Sequence, residues 1–260
     1  MVHRWVALLS LVGLALLGGL AWTPPAWSET LVQSTLDSRI ALAFRVKAEE
    51  LQRLVPASWQ ISPAGTGPSK DANLTVTFAE RLLDQDGQGK PVAVATYRLV
   101  ALSTQVKHPQ TGEAGPMSIR IFSSTPDGVP GFYKTAVQAT VRREQTVKGI
   151  GVEPGAVVET WEMRNGSGGT IELKVQYTRA TPSRAKGEAK PRSSVDPAIW
   201  RIYRFEQAVD VLRSIPAGID RVQSYQLRVN VPEIGKLFDG SEQLVSISAV
   251  PVYTRQTFLP

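Results

Sequence analysis

One lysine in this sequence stands where an amine could act as a nucleophile. Lys134 follows the glycine and the two aromatic residues of Gly131-Phe132-Tyr133, and an alternating apolar run begins after it at Val137. An amine at the mouth of a strand, among apolar neighbours, is poorly solvated, and desolvation favours the neutral form that attacks a carbonyl carbon. The imine so formed withdraws electrons, so that a carboxylate or a proton can leave the neighbouring carbon. The alternative interpretation of the same residues is a surface lysine at a strand end.

Other chemistries find little support in the composition. The chain has no cysteine, which excludes disulfides, thiol catalysis and cysteine-ligated metals. Beyond the first residues it has one histidine, His108, and no Gly-x-Ser-x-Gly turn that could partner it in a serine hydrolase. The acidic loop from Asp84 to Gly89 is not a calcium loop, because Ala95 occupies the position of the bidentate glutamate. We therefore expect no metal site and no cofactor.

The segment around Lys134 resembles a known motif. Residues 131–135 are similar to the Gly-aromatic-Pro-Lys-Lys motif of the acetoacetate decarboxylase family, in which the first lysine forms the Schiff base. Residues 42–56 resemble the family's entry strand and short helix, and residues 201–239 resemble its closing strands. The motif can also be aligned three residues earlier, with Pro130 at the family's proline. The resemblance implies a mainly β fold, an antiparallel double β-barrel or cone around an internal cavity, with one or two short helices.

Carried over residue by residue, the resemblance assigns roles. Lys134 would be the catalytic nucleophile, and Glu80, one place out of register with the family's first cavity glutamate, would be an acid or base. The family's second lysine falls at Thr135, and no carboxylate stands at its second glutamate. The family's cavity arginine falls close to Asp37, where Arg39 could substitute with a shift of two residues.

Strands must position these residues, because period-two alternation dominates the chain. The pattern predicts roughly nine or ten strands with antiparallel neighbours. Among them is a clear hairpin of residues 157–163 and 171–177, and an extra strand at 245–250. Short helical pieces are predicted over 47–55, which Pro56 ends, and over 205–213, where Phe205, Ala208 and Leu212 share one helical face.

The ends of the chain and one internal segment have their own composition. Residues 5–20 form an apolar run that is short for a membrane span, and Ala26-Trp27-Ser28 follows as a cleavage site. We therefore predict a signal peptide at residues 1–28, and export of a single acetoacetate decarboxylase-like domain at 29–260. A membrane anchor at residues 5–20 is the alternative. Residues 179–197, rich in polar residues and proline, are predicted to be a flexible loop.

Two functions remain open at this stage. The first is a cofactor-independent Schiff-base lyase, of decarboxylase or aldolase type, that acts on a small oxo-acid through Lys134 with Glu80. The second is an exported, non-catalytic binding protein for a small apolar or carboxylate ligand. The basic excess, 29 Lys and Arg against 23 Asp and Glu, is spread along the chain, so no nucleic-acid partner is expected. A third, structural role and a homo-oligomer are left open.

Overall fold

The computed structural model describes residues 29–126 and 129–260, in which β-strands dominate. Within these residues there is one α-helix, α1 (Ala48–Gln52), and two 3₁₀ helices, Val129–Tyr133 and Gly235–Leu237. The strands, in chain order, are β1 (Thr30–Arg45), β2 (Gln60–Ile61), β3 (Leu74–Asp86), β4 (Tyr97–Lys107), β5 (Ala114–Ser123), β6 (Ala136–Lys148), β7 (Ala156–Asn165), β8 (Thr170–Thr178), β9 (Ser183–Ala189), β10 (Arg192–Ser193), β11 (Ile202–Ser214), β12 (Ile219–Asp220), β13 (Val222–Asn230) and β14 (Gln243–Leu259). The mainly β fold class with few short helices is confirmed.

These strands form one large mixed sheet. Its main path runs β12-β11-β14-β1-β3-β4-β5-β6-β7-β8-β13, while β2, β9 and β10 pair beside it with β4, β11 and β5. Most neighbours are antiparallel, as expected, and the predicted hairpin is β7 and β8. Two pairs are parallel, β5 with β6 and β5 with β10. The chain reaches the parallel strand β6 through a connection that includes the 3₁₀ helix Val129–Tyr133.

The strands β3 and β4 bury both of their faces. On one face, β3 joins the main apolar core, where the rings of Phe78 and of Trp161 on β7 lie 5.7 Å apart between centroids. On the other face lies a second, smaller cluster, composed of Ala79, Tyr97, Leu99, Ile121 and Tyr133. Since alternate residues of a strand point to opposite faces, these two strands separate two interior compartments.

The helix α1 is shorter than predicted. Its first turn carries Glu49 and Glu50, which favours a helix N-terminus, and Leu51 is fully buried against the core. A turn replaces the predicted continuation and carries Val55 into the core ahead of Pro56.

The predicted flexible loop at residues 179–197 contains regular structure, so this expectation is corrected. β9 pairs along the edge of β11, from Ser183 opposite Val209 to Ala189 opposite Tyr203. Backbone hydrogen bonds to an edge need no apolar side chains, which is why composition alone missed this strand. Gly187 lets the ring of Phe205 lie over β9, because a Cβ at this position would be 2.7 Å from the ring and would force it to shift.

Of two further predictions near the end of the chain, one is corrected and one is confirmed. The predicted helical piece at 205–213 is part of the strand β11. The predicted extra strand at 245–250 is confirmed and belongs to the first half of the 17-residue strand β14, which pairs with β1 on one side and β11 on the other. β14 is therefore an interior strand of the sheet, and its backbone is not free to pair with a second copy.

Among the described residues, no helix combines the length and the apolarity needed to cross a membrane. The predicted signal peptide, residues 1–28, and the alternative anchor, residues 5–20, lie outside the described residues.

Candidate ligand cavity

A cavity of about 260 Å³ lies on the second face of β3 and β4. Its walls also come from β1, β5, β11 and β14, and from the end of the 3₁₀ helix that precedes β6. Its large polar side chains are three arginines and four tyrosines: Arg39, Arg81, Arg255, Tyr97, Tyr133, Tyr203 and Tyr253. The rest of the lining is small or apolar, and no lysine or carboxylate of the described residues lines the cavity.

Strand register brings the polar residues to one end of the cavity. Asp37 on β1 lies opposite Arg81 on β3 and opposite Tyr253 on β14, and Arg81 lies opposite Tyr97 on β4. Arg255 lies on β14, two residues beyond Tyr253. Because these strands are adjacent in the sheet, side chains that are distant in sequence share one row.

Asp37 is fully buried between two of the arginines. Nε of Arg39 donates to Oδ2 of Asp37 at 2.9 Å, and Nε of Arg81 lies 2.5 Å from Oδ1, outside hydrogen-bond geometry. Burial alone would raise the pKa of Asp37, but the charges of Arg39, Arg81 and Arg255 outweigh burial and hold the pKa below its ordinary value. The ionised carboxylate therefore fixes Arg39 and Arg81 at this end of the cavity.

Arg255 is buried without such a partner. Its side chain is 7% exposed, and no carboxylate of the described residues forms an ion pair with it. Nη2 donates to Oε1 of Gln33 at 3.1 Å, and Nε has no acceptor among the described residues. Burial would lower the pKa of Arg255, but Tyr203, Tyr253 and Asp37 raise it above its ordinary value, so the guanidinium stays charged.

The balance of charge at this end of the cavity is positive. The second carboxylate, Asp84, accepts from Gln33 at 2.6 Å and from the hydroxyl of Tyr97 at 3.1 Å, and lies 3.7 Å from Nη1 of Arg81. Three lining arginines therefore face two carboxylates, Asp37 and Asp84. The excess positive charge belongs to Arg255.

Two further tyrosines, Tyr133 and Tyr203, line the same end of the cavity from elements other than β1, β3 and β4. The hydroxyl of Tyr133 donates to the hydroxyl of Tyr203 at 2.5 Å. Burial, together with Tyr203, raises the pKa of Tyr133, so its hydroxyl keeps its proton. The guanidinium of Arg255 lies 4.1 Å from the centroid of the Tyr203 ring. Once it has accepted from Tyr133, the Tyr203 hydroxyl still has its own proton to donate to a ligand.

Lys134 lies outside this cavity. The 3₁₀ helix ends at Tyr133, and Lys134 follows with a φ of 56°, its backbone N–H donating to the carbonyl of Gly131 at 2.9 Å. Its side chain is exposed, whereas the side chains on either side of it, Tyr133 and Thr135, are buried. Thr135 is bonded to Ser118 in the cavity wall, with 2.9 Å between the two hydroxyl oxygens. The side chain of Lys134 therefore does not line the cavity and is not desolvated as the sequence suggested, and its catalytic role stays a prediction.

Glu80 lies on the face of β3 opposite to the lining residues Ala79 and Arg81. Its carboxylate is ion-paired with Arg98 and, at 2.8 Å, with Arg143. Lys134 and Glu80 form no hydrogen bond or ion pair with each other in the described part of the chain. Glu80 is one place out of register with the family's cavity glutamate, and in the structure this one-residue offset puts its side chain on the face of β3 that does not line the cavity. The acid or base role of Glu80 also stays a prediction.

Sequence reasoning missed Arg81, Arg255 and Tyr203, and found Arg39 only as a substitute. No periodic signal marked Arg81 on β3, because Leu74, Val76 and Phe78 are the apolar positions of the alternation and Arg81 is in phase with Thr75 and Thr77.

Among residues 29–126 and 129–260, no group of three or more histidine, cysteine, aspartate or glutamate side chains is arranged to hold a metal ion. The large polar side chains that the cavity offers to a ligand are those of arginine and tyrosine, and Thr77, Ser103 and Ser118 add smaller hydroxyl groups.

Several solved structures match the fold of this chain over most of its length. The enduracididine biosynthesis enzyme MppR, complexed with the condensation product of pyruvate and imidazole 4-carboxaldehyde, matches 88% of this chain and 87% of its own at 10% identity and a TM-score of 0.55. An acetoacetate decarboxylase-like enzyme from Sphingomonas wittichii RW1 matches 89% and 91%, at 10% identity and a TM-score of 0.55. Acetoacetate decarboxylase from Legionella pneumophila matches 98% of each chain, at 11% identity and a TM-score of 0.51.

No sequence-family model matches the chain, and no curated protein matches it in sequence. At these identities the structural likeness establishes the fold. The chain has an acetoacetate decarboxylase-like fold, as the resemblance in the sequence implied.

Proposed function

We propose that this protein binds a small carboxylic acid in the cavity without forming an imine with it. The observation that carries the proposal is the lining itself, which offers a buried, unpaired Arg255 and no amine. A guanidinium presents a planar fork of N–H donors that matches a carboxylate, and it does not lose its proton to become a nucleophile.

The desolvated state of Arg255 supports an anionic ligand. Burying an unpaired cation is costly, and a carboxylate that enters the cavity repays part of this cost with charge-assisted hydrogen bonds. The free proton of Tyr203 offers a second donor beside it. MppR has been solved with pyruvate bound, so a protein of this fold is able to hold a small carboxylate.

The proposal is tested by calorimetric titration with pyruvate and butanoate. Arg255→Gln removes the charge and should weaken binding by about 1.5–3 kcal/mol, which corresponds to roughly 10- to 150-fold. Arg228→Gln is the matched control, because Arg228 is exposed on β13. Circular dichroism and thermal unfolding show whether each variant is folded. Equal affinities for the wild type and the folded Arg255→Gln variant would contradict the proposal.

The Schiff-base lyase is tested on the same protein. Incubation with pyruvate or a 3-oxo-acid plus borohydride traps any imine irreversibly. Under our proposal, the wild type and Lys134→Arg label alike, with scattered lysines only, and Lys90→Arg serves as an exposed control. An adduct that depends on Lys134 would replace the binding function with the lyase and give Lys134 its predicted role.

We further propose that the protein acts outside the cytoplasm. The apolar run at residues 5–20 and the small residues that flank Trp27 support export by a cleaved signal peptide.

A further inference from the structure

The lining of the cavity changes character along the strands. At one end the row formed by Asp37, Arg81 and Tyr97 is charged. Two residues further along β3, Ala79 lies opposite Leu99 on β4. Two residues beyond that, the row consists of Thr77, Ala101 and Ile121, on β3, β4 and β5.

One arginine begins in the middle row and reaches back to the charged end. Arg39 lies opposite Ala79, but its guanidinium bonds to Asp37 and lies 3.4 Å from the centroid of the Tyr253 ring. The middle and far rows therefore keep an uncharged surface of small and apolar side chains. Since a strand advances about 3.3 Å per residue, the four residues from Arg81 to Thr77 span about 13 Å.

The far end of the cavity has no charge to offer. Ser103 lies opposite Ser118 there, and the hydroxyl of Ser118 is already bonded to Thr135. A second carboxylate at this end would lose part of its hydration without meeting a cation among the lining residues, which is unfavourable. The cavity therefore suits a ligand with one negative charge, held at the end where Arg255 lies.

The volume sets the size of the ligand. At about 30 Å³ per water molecule, a cavity of about 260 Å³ holds on the order of nine waters. A ligand of comparable volume has on the order of ten non-hydrogen atoms, which is more than pyruvate has. Filling the apolar rows with methylene groups removes apolar surface of both partners from water.

We propose that the ligand is a monocarboxylic acid with an unbranched apolar tail, about the size of hexanoate to octanoate. This inference rests on the proposed function, since it assumes that the cavity binds a carboxylate. The carboxylate bonds to Arg255 and the Tyr203 hydroxyl, and the tail lies over Ala79, Ala101 and Ile121.

The test is a calorimetric series on the full chain with butanoate, hexanoate, octanoate and dodecanoate, together with octanol and octanedioate. Each methylene up to octanoate should tighten binding about fourfold, on the order of 10²-fold between butanoate and octanoate. Dodecanoate exceeds the cavity and should bind more weakly than octanoate. Octanol, which lacks the charge, and octanedioate, which has one charge too many, should bind at least tenfold more weakly than octanoate.

A variant locates the tail. Ala101→Leu fills the apolar part of the cavity and should weaken octanoate about tenfold while changing butanoate less than twofold. Ala114→Leu, the same change at an exposed position of β5, should change neither affinity.

The outcomes separate this inference from the function on which it rests. If pyruvate or butanoate binds as tightly as octanoate, or if Ala101→Leu leaves octanoate unchanged, the apolar tail is wrong while carboxylate binding stands. If no acid of any length depends on Arg255, or octanol binds as well as octanoate, both the inference and the proposed function fail.

Discussion

Removing the charge of Asp37 should destabilise the fold strongly. Its carboxylate is fully buried between Arg39 and Arg81, and Arg81 is itself nearly inaccessible. Asp37→Asn leaves the packing in place but removes the charge that compensates the buried guanidinium of Arg81 and the partly buried guanidinium of Arg39. Breaking a buried ion pair on one side typically costs about 3–5 kcal/mol, and we expect this loss in the free energy of unfolding at neutral pH.

The contribution of Asp37 to the free energy of unfolding should depend on pH. The folded-state pKa of Asp37 is lowered from the ordinary value of 3.8, so the unfolded chain takes up the proton first as the pH falls. The contribution of Asp37 to stability is therefore complete above about pH 5 and is lost as the pH falls through 3.8 towards the folded-state pKa. The difference in the free energy of unfolding between the wild type and Asp37→Asn should therefore become smaller as the pH falls below about 4.

Urea unfolding from pH 3 to pH 8, followed by circular dichroism, measures both effects. Asp71→Asn is the control, because Asp71 is exposed, pairs with Arg45 at 3.3 Å, and has a positive φ that asparagine tolerates. Its effect should stay within about 0.5 kcal/mol. If Asp37→Asn costs no more than Asp71→Asn, or if the difference does not change with pH, the buried ion pair is not the stabilising feature described here.

Further expectations concern the tyrosine pair, the turn and the N-terminus. Tyr203→Phe leaves the buried hydroxyl of Tyr133 without its acceptor and should lower the free energy of unfolding by about 1–3 kcal/mol in urea, and an unchanged midpoint would contradict this. Gly131→Ala puts a Cβ 2.1 Å from a backbone oxygen and should lower the melting temperature and weaken carboxylate binding, whereas Gly65→Ala, with no atom within 4 Å, should do neither. Mass spectrometry of the purified mature protein should find an N-terminus near Glu29, and an intact Met1 in a membrane fraction would favour the anchor.

The strands that were predicted correctly are those with undisturbed alternation. In β8, the residues from Ile171 to Tyr177 alternate strictly, and the structure pairs them as expected with β7. β11 was mistaken for a helix because Phe205, Ala208 and Leu212 are spaced by three and four residues. The structure explains this spacing, since the pairing of β11 with β14 shifts register after Ala208 and again after Val211. Each bulge adds a residue and changes the phase of the alternation, which imitates a helical period.

The inward-facing residue of the motif could not be predicted, for a similar reason. Alternation fixes which residues share a face only within one strand, and Lys134 lies between a 3₁₀ helix and β6. Its positive φ turns the chain so that the residues on both sides of it, Tyr133 and Thr135, are buried. Neither feature leaves a periodic trace in the sequence.

The polar end of the cavity was beyond prediction because it is assembled from distant parts of the chain. Arg255 bonds to Gln33, 222 residues away, and this contact exists only because β14 lies beside β1. The sequence shows both residues as ordinary polar members of terminal segments. Their burial follows from the sheet order, which local patterns do not encode.

Under our proposal, the arrangement of arginines makes the cavity suited to binding an acid and not to forming an imine with it. An imine requires an amine that can lose its proton, whereas a guanidinium keeps its charge at any workable pH. Asp37 compensates Arg39 and holds Arg81, and Arg255 is left with one formal charge and an unused Nε–H. Under our proposal, a site of this kind binds and orients an anion, and none of the described residues that line it offers an amine for attack. The proposal therefore predicts that an acid held by an arginine in this wall is released from the cavity unchanged.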